Sequence, residues 1–92
     1  MVNNQARIEM ISARLHAALQ PEELQIEDES HLHAGHAGAK EGKGHFRVLL
    51  RAYQFEGLPP LKRHRLVYEA LGELMETDIH ALSIEALLPR QS

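Results

Sequence analysis

The stretch HFRVLLRAYQFEGLPPLKRHRLVYEALGELMETDIHALSIEA, residues 45–86, determines the fold. Phe46, Val48 and Leu50 alternate with Arg47, Leu49 and Arg51, which predicts a strand with one buried face. The pair Pro59-Pro60 suits the entry to a helix, because proline has a fixed φ and lacks an N–H that the first turn leaves unpaired. Apolar side chains at helical spacing predict that helix from about Leu61 to Met75, and alternation resumes in a strand that begins near Ile79.

A strand, a helix and a second strand in this order form a right-handed crossover, so the two strands are expected to be parallel neighbours. Two elements precede them: a helix over Asn4 to Leu19, which Pro21 ends, and a short strand around Leu24 and Ile26. The fold class is therefore α+β, with a three-stranded mixed sheet covered by helices on one face. A break in the second helix is possible near Gly72.

The segment between the first two strands, residues 29–44, is rich in glycine and histidine and has no periodic apolar face. A loop of this length suggests a functional role. Because parallel strands begin at the same edge of a sheet, His80 is expected to lie near His45 and the end of this loop. Two histidine-bearing segments that are distant in sequence would then converge.

Length and composition restrict the function classes. The chain has 92 residues, enough for one domain over 1–92, with a net charge of −3 and no cysteine. Neither a disulfide framework nor a metal centre held by its own thiolates is possible. Protonation of its seven histidines would change the net charge from −3 to +4. Charged residues near the N-terminus and the lack of a long apolar run predict a cytoplasmic protein with no membrane segment.

Five motifs, in matching order and spacing, make the sequence similar to the BolA-like family. They are Asp28-Glu29-Ser30 followed by His36, His45-Phe46-Arg47-Val48, Phe55-Glu56-Gly57, Arg63-His64-Arg65 with Val67-Tyr68, and Ile79-His80-Ala81-Leu82-Ser83-Ile84. The resemblance covers nearly the whole chain. It implies a type II KH-like fold of the order α-β-β-α-α-β.

The resemblance also implies a function. Members of this family pair with monothiol glutaredoxins and share a bridging [2Fe-2S] cluster, so the resemblance implies an adaptor for cluster trafficking or iron sensing. The sequence has no nucleophile elbow and no phosphate loop, so an enzyme is not expected. Carried over by motif position, the first ligand falls on His80, and the second, a variable loop residue, falls on His36. Two imidazoles leave two positions for thiolates, which the family implies come from the partner and from glutathione. The isolated chain should hold no cluster and be a monomer or a weak dimer.

Other histidines leave alternatives open. His31 and His33 could bind zinc or copper together with His36, although such sites usually include cysteine. His45 could orient the loop or support a ligand. His80 shares strand parity with Leu82, so it could instead be a half-buried residue at the edge of the core.

A second function class is a DNA-binding transcriptional regulator, which some bacterial members of the family are described to be. Lys62, Arg63 and Arg65 lie in the first turns of the second helix, where basic groups and free N–H groups could bind phosphate. Arg47 or Arg51 could extend this patch. The net negative charge and the lack of a Gly-x-x-Gly clamp between helices argue against a general nucleic-acid binder.

Overall fold

The computed structural model of the chain describes residues 4–30 and 43–90. Its helices and strands follow the order α-β-β-α-α-β that the resemblance implies, and each lies where the sequence patterns predict it. They are α1 (Asn4–Leu19), β1 (Glu23–Asp28), β2 (Gly44–Arg51), α2 (Pro60–Leu71), α3 (Leu74–Thr77) and β3 (Ile79–Leu87), with a single 3₁₀ turn at Tyr53–Phe55 between β2 and α2.

The three strands form one mixed sheet in the order β1-β2-β3. β1 and β2 are antiparallel, with Leu24 opposite Leu50. β2 and β3 are parallel, as the crossover predicts, and their register places Phe46 opposite Leu82. Gly44 faces Ile79 but His45 faces Ala81, so the register shifts by one residue at the start of this pair. This shift determines how the candidate site is built.

The core lies between one face of the sheet and the helices. Strand alternation turns Phe46, Val48 and Leu50 toward the helices, and all three are buried, as predicted. Burial of a side chain of this size contributes about 1.5 to 3 kcal/mol. The helices and the turn supply the other large buried side chains, among them Ile11, Leu15, Leu19, Phe55, Val67, Leu71 and Leu74.

The second predicted helix is divided in two. Gly72 has a φ of 55°, a conformation that favours glycine, and its N–H donates to the carbonyl of Tyr68. The break suggested by the sequence near Gly72 is therefore confirmed. Tyr68 falls at the helical spacing of the apolar side chains in this helix, which predicts a buried residue, but it is 43% exposed. The buried stripe centres on Val67 and Leu71, and Tyr68 lies at its margin.

Gly44 permits a close approach that no other residue type could make. A Cβ placed on its backbone would come within 2.4 Å and 2.6 Å of two ring atoms of Phe46, and within 3.3 Å of Oδ1 of Asn4. The Phe46 ring thus lies over the α-carbon of the glycine two residues earlier on the same face. Glycine is needed at position 44 because of this contact and not because of a positive φ.

We expect Gly44→Ala to lower the free energy of unfolding by about 1 to 3 kcal/mol, because the methyl group must displace a fully buried aromatic ring. Urea unfolding followed by circular dichroism measures this loss. Adding Phe46→Leu should recover part of it. The matched control is Gly57→Ala, whose cost comes from a φ of 77° with no atom near the new Cβ. If Phe46→Leu changes the cost of Gly44→Ala and the cost of Gly57→Ala by the same amount, the contact between the Phe46 ring and Gly44 is not the cause of the loss.

Candidate functional site: a histidine pair at the start of β3

Two histidines lie side by side where β2 and β3 begin. The ring centroids of His45 and His80 are 5.0 Å apart, with the ring planes inclined by 52°. The predicted convergence of these two segments is confirmed. The His45 side chain is only 4% exposed, whereas His80 is exposed. One imidazole of the pair is therefore enclosed by the protein, and the other is open to solvent or a partner.

A bulge in β3 explains the exposure of His80. Gly44 faces Ile79 and His45 faces Ala81, so His80 is the extra residue without a register partner on β2. A bulge re-aims the side chain of the inserted residue and reverses the alternation on either side of it. Ile79 and Ala86 can thus both be buried although their positions differ by an odd number. The alternative from strand parity, a half-buried His80 on the face of Leu82, therefore does not hold, since His80 is exposed.

Ser30, the last described residue before the loop, is hydrogen-bonded to the start of β2. Its Oγ accepts the N–H of His45 at 3.0 Å and the Nδ2–H of Asn4 at 3.3 Å. Its own N–H donates to Oδ1 of Asp28 at 2.9 Å, and the N–H of Glu29 donates to the carbonyl of His45 at 2.8 Å. The backbone on either side of segment 31–42 is therefore joined across the hairpin.

Asp78 links the start of β3 to the same end of the sheet. Its carbonyl accepts the N–H of Gly44 at 2.9 Å, and its Oδ1 accepts the Nε–H of Arg7 at 3.1 Å. The side chains of Arg7 and Asp78 are only 12% and 14% exposed. Nη1 of Arg7 donates in turn to Oδ1 of Asn4 at 3.0 Å. Two residues of α1 thus connect the backbone before His80 with the backbone around His45.

The Asp78 carboxylate is stabilised in its charged form. Burial would raise its pKa, but hydrogen bonds from Thr77 and Arg7, together with the charge of Arg7, outweigh burial and lower the pKa below the usual value. The carboxylate is consequently ionised throughout the physiological range, and the ion pair with Arg7 persists there.

The loop histidines His31, His33 and His36 lie outside the described residues. Their assignment as the variable ligand or as part of a zinc site therefore stays a prediction. Within residues 4–30 and 43–90, no three side chains of histidine, aspartate or glutamate form a group that could hold a metal ion. In this part of the chain the candidate donors are the imidazoles of the His45–His80 pair.

Three arginines considered for the basic patch, Arg47, Arg51 and Arg63, have partners within the domain. Arg63 donates to the carbonyl of Leu58 at 2.8 Å and to that of Ala86 at 3.1 Å, so it joins α2 to β3. Arg47 forms an ion pair with Glu85 across the helix-free face of the sheet. Arg51 likewise pairs with Glu23 at 3.2 Å. Lys62 and Arg65 are the exposed basic residues in the first turns of α2, and their role in phosphate binding stays a prediction.

Sequence reasoning did not identify Asn4, Arg7 and Asp78 as parts of the site. Arg7 and Asp78 are 71 positions apart in the sequence, and no local sequence pattern predicts a contact over that distance. The one available signal was an acidic residue two positions before His80, since a charged side chain beside a predicted ligand often has a supporting role.

The fold and the site together define a small KH-like α+β domain that presents an exposed histidine at one end of its sheet. The chain belongs to the BolA-like family: the family model described as "BolA-like protein" matches residues 15–91. Among solved structures, the BolA domain of SufE1 from Arabidopsis thaliana superposes with a TM-score of 0.80 at 35% identity, covering 97% of this chain and 96% of that one.

Curated relatives agree with this assignment. The chain is 45% identical over 89 residues to "Protein BOLA1, chloroplastic" of Arabidopsis thaliana, a match that covers 94% of this chain and 56% of that protein. It is 41% identical over 76 residues to "DNA-binding transcriptional regulator BolA" of Escherichia coli, covering 83% and 70%. The chain thus spans little more than half the length of its plant relative.

No helix in the described part of the chain is long and apolar enough to cross a membrane. The cytoplasmic location expected from the sequence stays a prediction, since the plant relative is named as chloroplastic.

We expect Asp78→Asn to lower the free energy of unfolding at neutral pH by about 1 to 3 kcal/mol, because it weakens a charge-assisted hydrogen bond. The pKa of Asp78 is lowered in the folded state, so this stabilisation is complete above the unfolded-state pKa of about 3.9. It is lost as the pH falls through the folded-state value. Urea midpoints of wild type and variant should therefore converge in acid.

The control is Glu73→Gln, which removes an exposed carboxylate 3.4 Å from Arg14 and should leave the midpoint nearly unchanged. If the urea midpoints of wild type and Asp78→Asn differ by the same amount from pH 7 down to pH 2, the ionised pair of Asp78 with Arg7 does not stabilise the fold.

Proposed function

We propose that the protein is an iron-sulfur adaptor that holds a [2Fe-2S] cluster jointly with a monothiol glutaredoxin and glutathione. The observation that carries the proposal is the exposed His80 at a bulge, packed against the enclosed His45. The partner is the one that the BolA-like resemblance implies.

The donor chemistry fits this assignment. The chain contains no cysteine, and imidazole replaces thiolate on one iron in Rieske-type clusters. A protein that supplies imidazoles alone needs a partner for the thiolate ligands. His80 is exposed on a strand, so it can coordinate at an interface without rearrangement of the core.

The two members of the pair have different roles in this proposal. His80 is a ligand. The ring of His45 packs against the ring of His80, with the two centroids 5.0 Å apart. This contact restricts the orientation of the His80 ring, a supporting role that residues beside a metal-binding histidine often have. The second ligand is His36, on the segment that starts after Ser30 and ends before β2. Ser30, the residue before this segment, accepts the N–H of His45 at 3.0 Å.

A DNA-binding regulator is the second candidate, favoured by the name of the Escherichia coli relative. Lys62 and Arg65 are exposed in the first turns of α2 and could contact phosphate. Two exposed basic residues supply a small electrostatic contribution compared with the six to ten phosphate contacts typical of strong DNA binders. The adaptor function is therefore the better supported of the two.

Anaerobic reconstitution with a monothiol glutaredoxin and glutathione tests the adaptor function. The mixture should form a coloured heterodimer, whereas the isolated chain should hold no stable cluster, because it lacks thiolates. His80→Ala should abolish or strongly alter the visible circular dichroism spectrum. His36→Ala should change the spectrum and the lability of the cluster but permit some assembly, since a loop ligand loses conformational entropy when it coordinates.

His16→Ala is the matched control, since this exposed histidine lies near the far end of α1. Far-ultraviolet circular dichroism verifies folding of every variant. An unchanged cluster spectrum in His80→Ala would exclude the adaptor site. If His45→Ala abolishes the cluster spectrum and His36→Ala leaves it unchanged, the second ligand is His45 and not His36.

For nucleic acid, we expect DNA affinity at physiological salt to be weak and nearly equal in wild type and in the double variant Lys62→Ala/Arg65→Ala, measured by fluorescence anisotropy. Arg63→Ala is unsuitable as a probe, because loss of its bonds to Leu58 and Ala86 should destabilise the fold. A sequence-specific complex that disappears in the double variant would favour the regulator.

A further inference from the structure

We propose that Asn4 and Arg7, in the first turns of α1, form a clasp that sets the relative position of the two histidine-bearing strands. We call Asn4, Arg7, Ser30 and Asp78 the α1 clasp. Its members act as positioning residues and do not touch the cluster. The consequence for the cluster rests on the proposed function, whereas the clasp itself can be tested without any cluster.

The clasp is a continuous chain of hydrogen bonds. It runs from Asp78 to Arg7 at 3.1 Å, from Arg7 to Asn4 at 3.0 Å and from Asn4 to Ser30 at 3.3 Å. It ends at the N–H of His45, which donates to Ser30 at 3.0 Å. One end is therefore two residues before His80, and the other end is the backbone of His45 itself.

The geometry of Arg7 makes the connection rigid. Its guanidinium uses two different nitrogens, Nε toward Asp78 and Nη1 toward Asn4. A planar guanidinium holds two acceptors at a fixed separation, which a lysine ammonium on a flexible stem cannot do. The side chains of Arg7 and Asp78 are only 12% and 14% exposed, so solvent competes weakly for these bonds.

The position of the clasp complements the bulge. At the start of β3 the regular ladder is interrupted, because His80 has no register partner on β2. The bond from Gly44 N–H to the carbonyl of Asp78 is the backbone link that precedes the interruption. Without the clasp, this end of the β2–β3 pair would depend mainly on that bond, and the separation of the two rings would vary more widely. Ligands need to be held within about 0.5 Å of their working geometry.

Amide hydrogen exchange of the isolated protein tests the clasp. Arg7→Ala should accelerate exchange at Gly44 and His45 by about tenfold or more relative to Ala52, whose N–H donates to Leu87 at the opposite end of the same strands. Using Ala52 as the internal reference separates local opening from general loss of stability. Arg7→Lys should accelerate exchange less, because the lysine keeps the positive charge facing Asp78 but cannot hold Asp78 and Asn4 with two nitrogens of one planar group.

Arg14→Ala is the matched control. Arg14 is an arginine of the same helix that also reaches across to another element, with Nη1 3.4 Å from the carbonyl of Leu71 and Nη2 3.4 Å from Glu73. Its removal should leave the Gly44-to-Ala52 exchange ratio unchanged. Equal ratios in wild type and Arg7→Ala would overturn the clasp, as would an equal rise in Arg14→Ala.

The second measurement concerns the complex reconstituted with a monothiol glutaredoxin. Arg7→Ala should alter the visible circular dichroism spectrum and shorten the lifetime of the cluster against a chelator several-fold, and Arg7→Lys should restore part of the wild-type signal. An altered exchange ratio with an unaltered spectrum and lifetime would refute the positioning role. If the wild-type complex forms no cluster, the proposed function fails, and the exchange ratio alone decides whether the clasp exists.

Discussion

The parallel pairing of β2 with β3, with one extra residue at its start, is the constraint on which the rest of the structure depends. Parallel strands cannot be joined by a tight turn, so the chain must cross the sheet through α2 and α3. The same pairing brings the beginnings of both strands to one edge. The extra residue, His80, keeps Ile79 in the core while its own side chain turns outward. Core packing and exposure of the candidate ligand thus have one structural cause.

The two ends of the sheet are stabilised by different means. At the histidine end, buried or half-buried polar groups of α1, the hairpin and the residue before β3 are joined by the α1 clasp. At the other end, Glu23 accepts from Arg51 and Arg90 near the surface, at 3.2 Å and 2.8 Å. The Arg51–Glu23 pair is partly buried, whereas the Arg90 side chain is 67% exposed and its ion pair contributes little to stability. The ion pair at the histidine end is therefore the more buried of the two.

The contrast between His45 and His80 gives the site its chemical logic. A ligand shared between two proteins must be accessible, and a residue that orients it must be fixed; the 4% exposure of His45 satisfies the second condition. The absence of cysteine from the chain makes the proposed cluster dependent on a thiol-bearing partner. Binding to that partner and holding the cluster would then be a single event.

The order of the strands and helices, apart from the split between α2 and α3, the mixed sheet and the convergence of His45 with His80 could all be predicted from the sequence. These features follow from local periodicity and from the handedness of a crossover, which are both properties of neighbouring residues. The bulge at His80 could not be predicted, because an inserted residue is recognised only once the register with the partner strand is known. The hydrogen bond of Arg63 to the carbonyl of Ala86 and that of Arg7 to Asp78, 71 positions away, could not be predicted either. The acceptors of a side chain depend on how segments distant in sequence pack together.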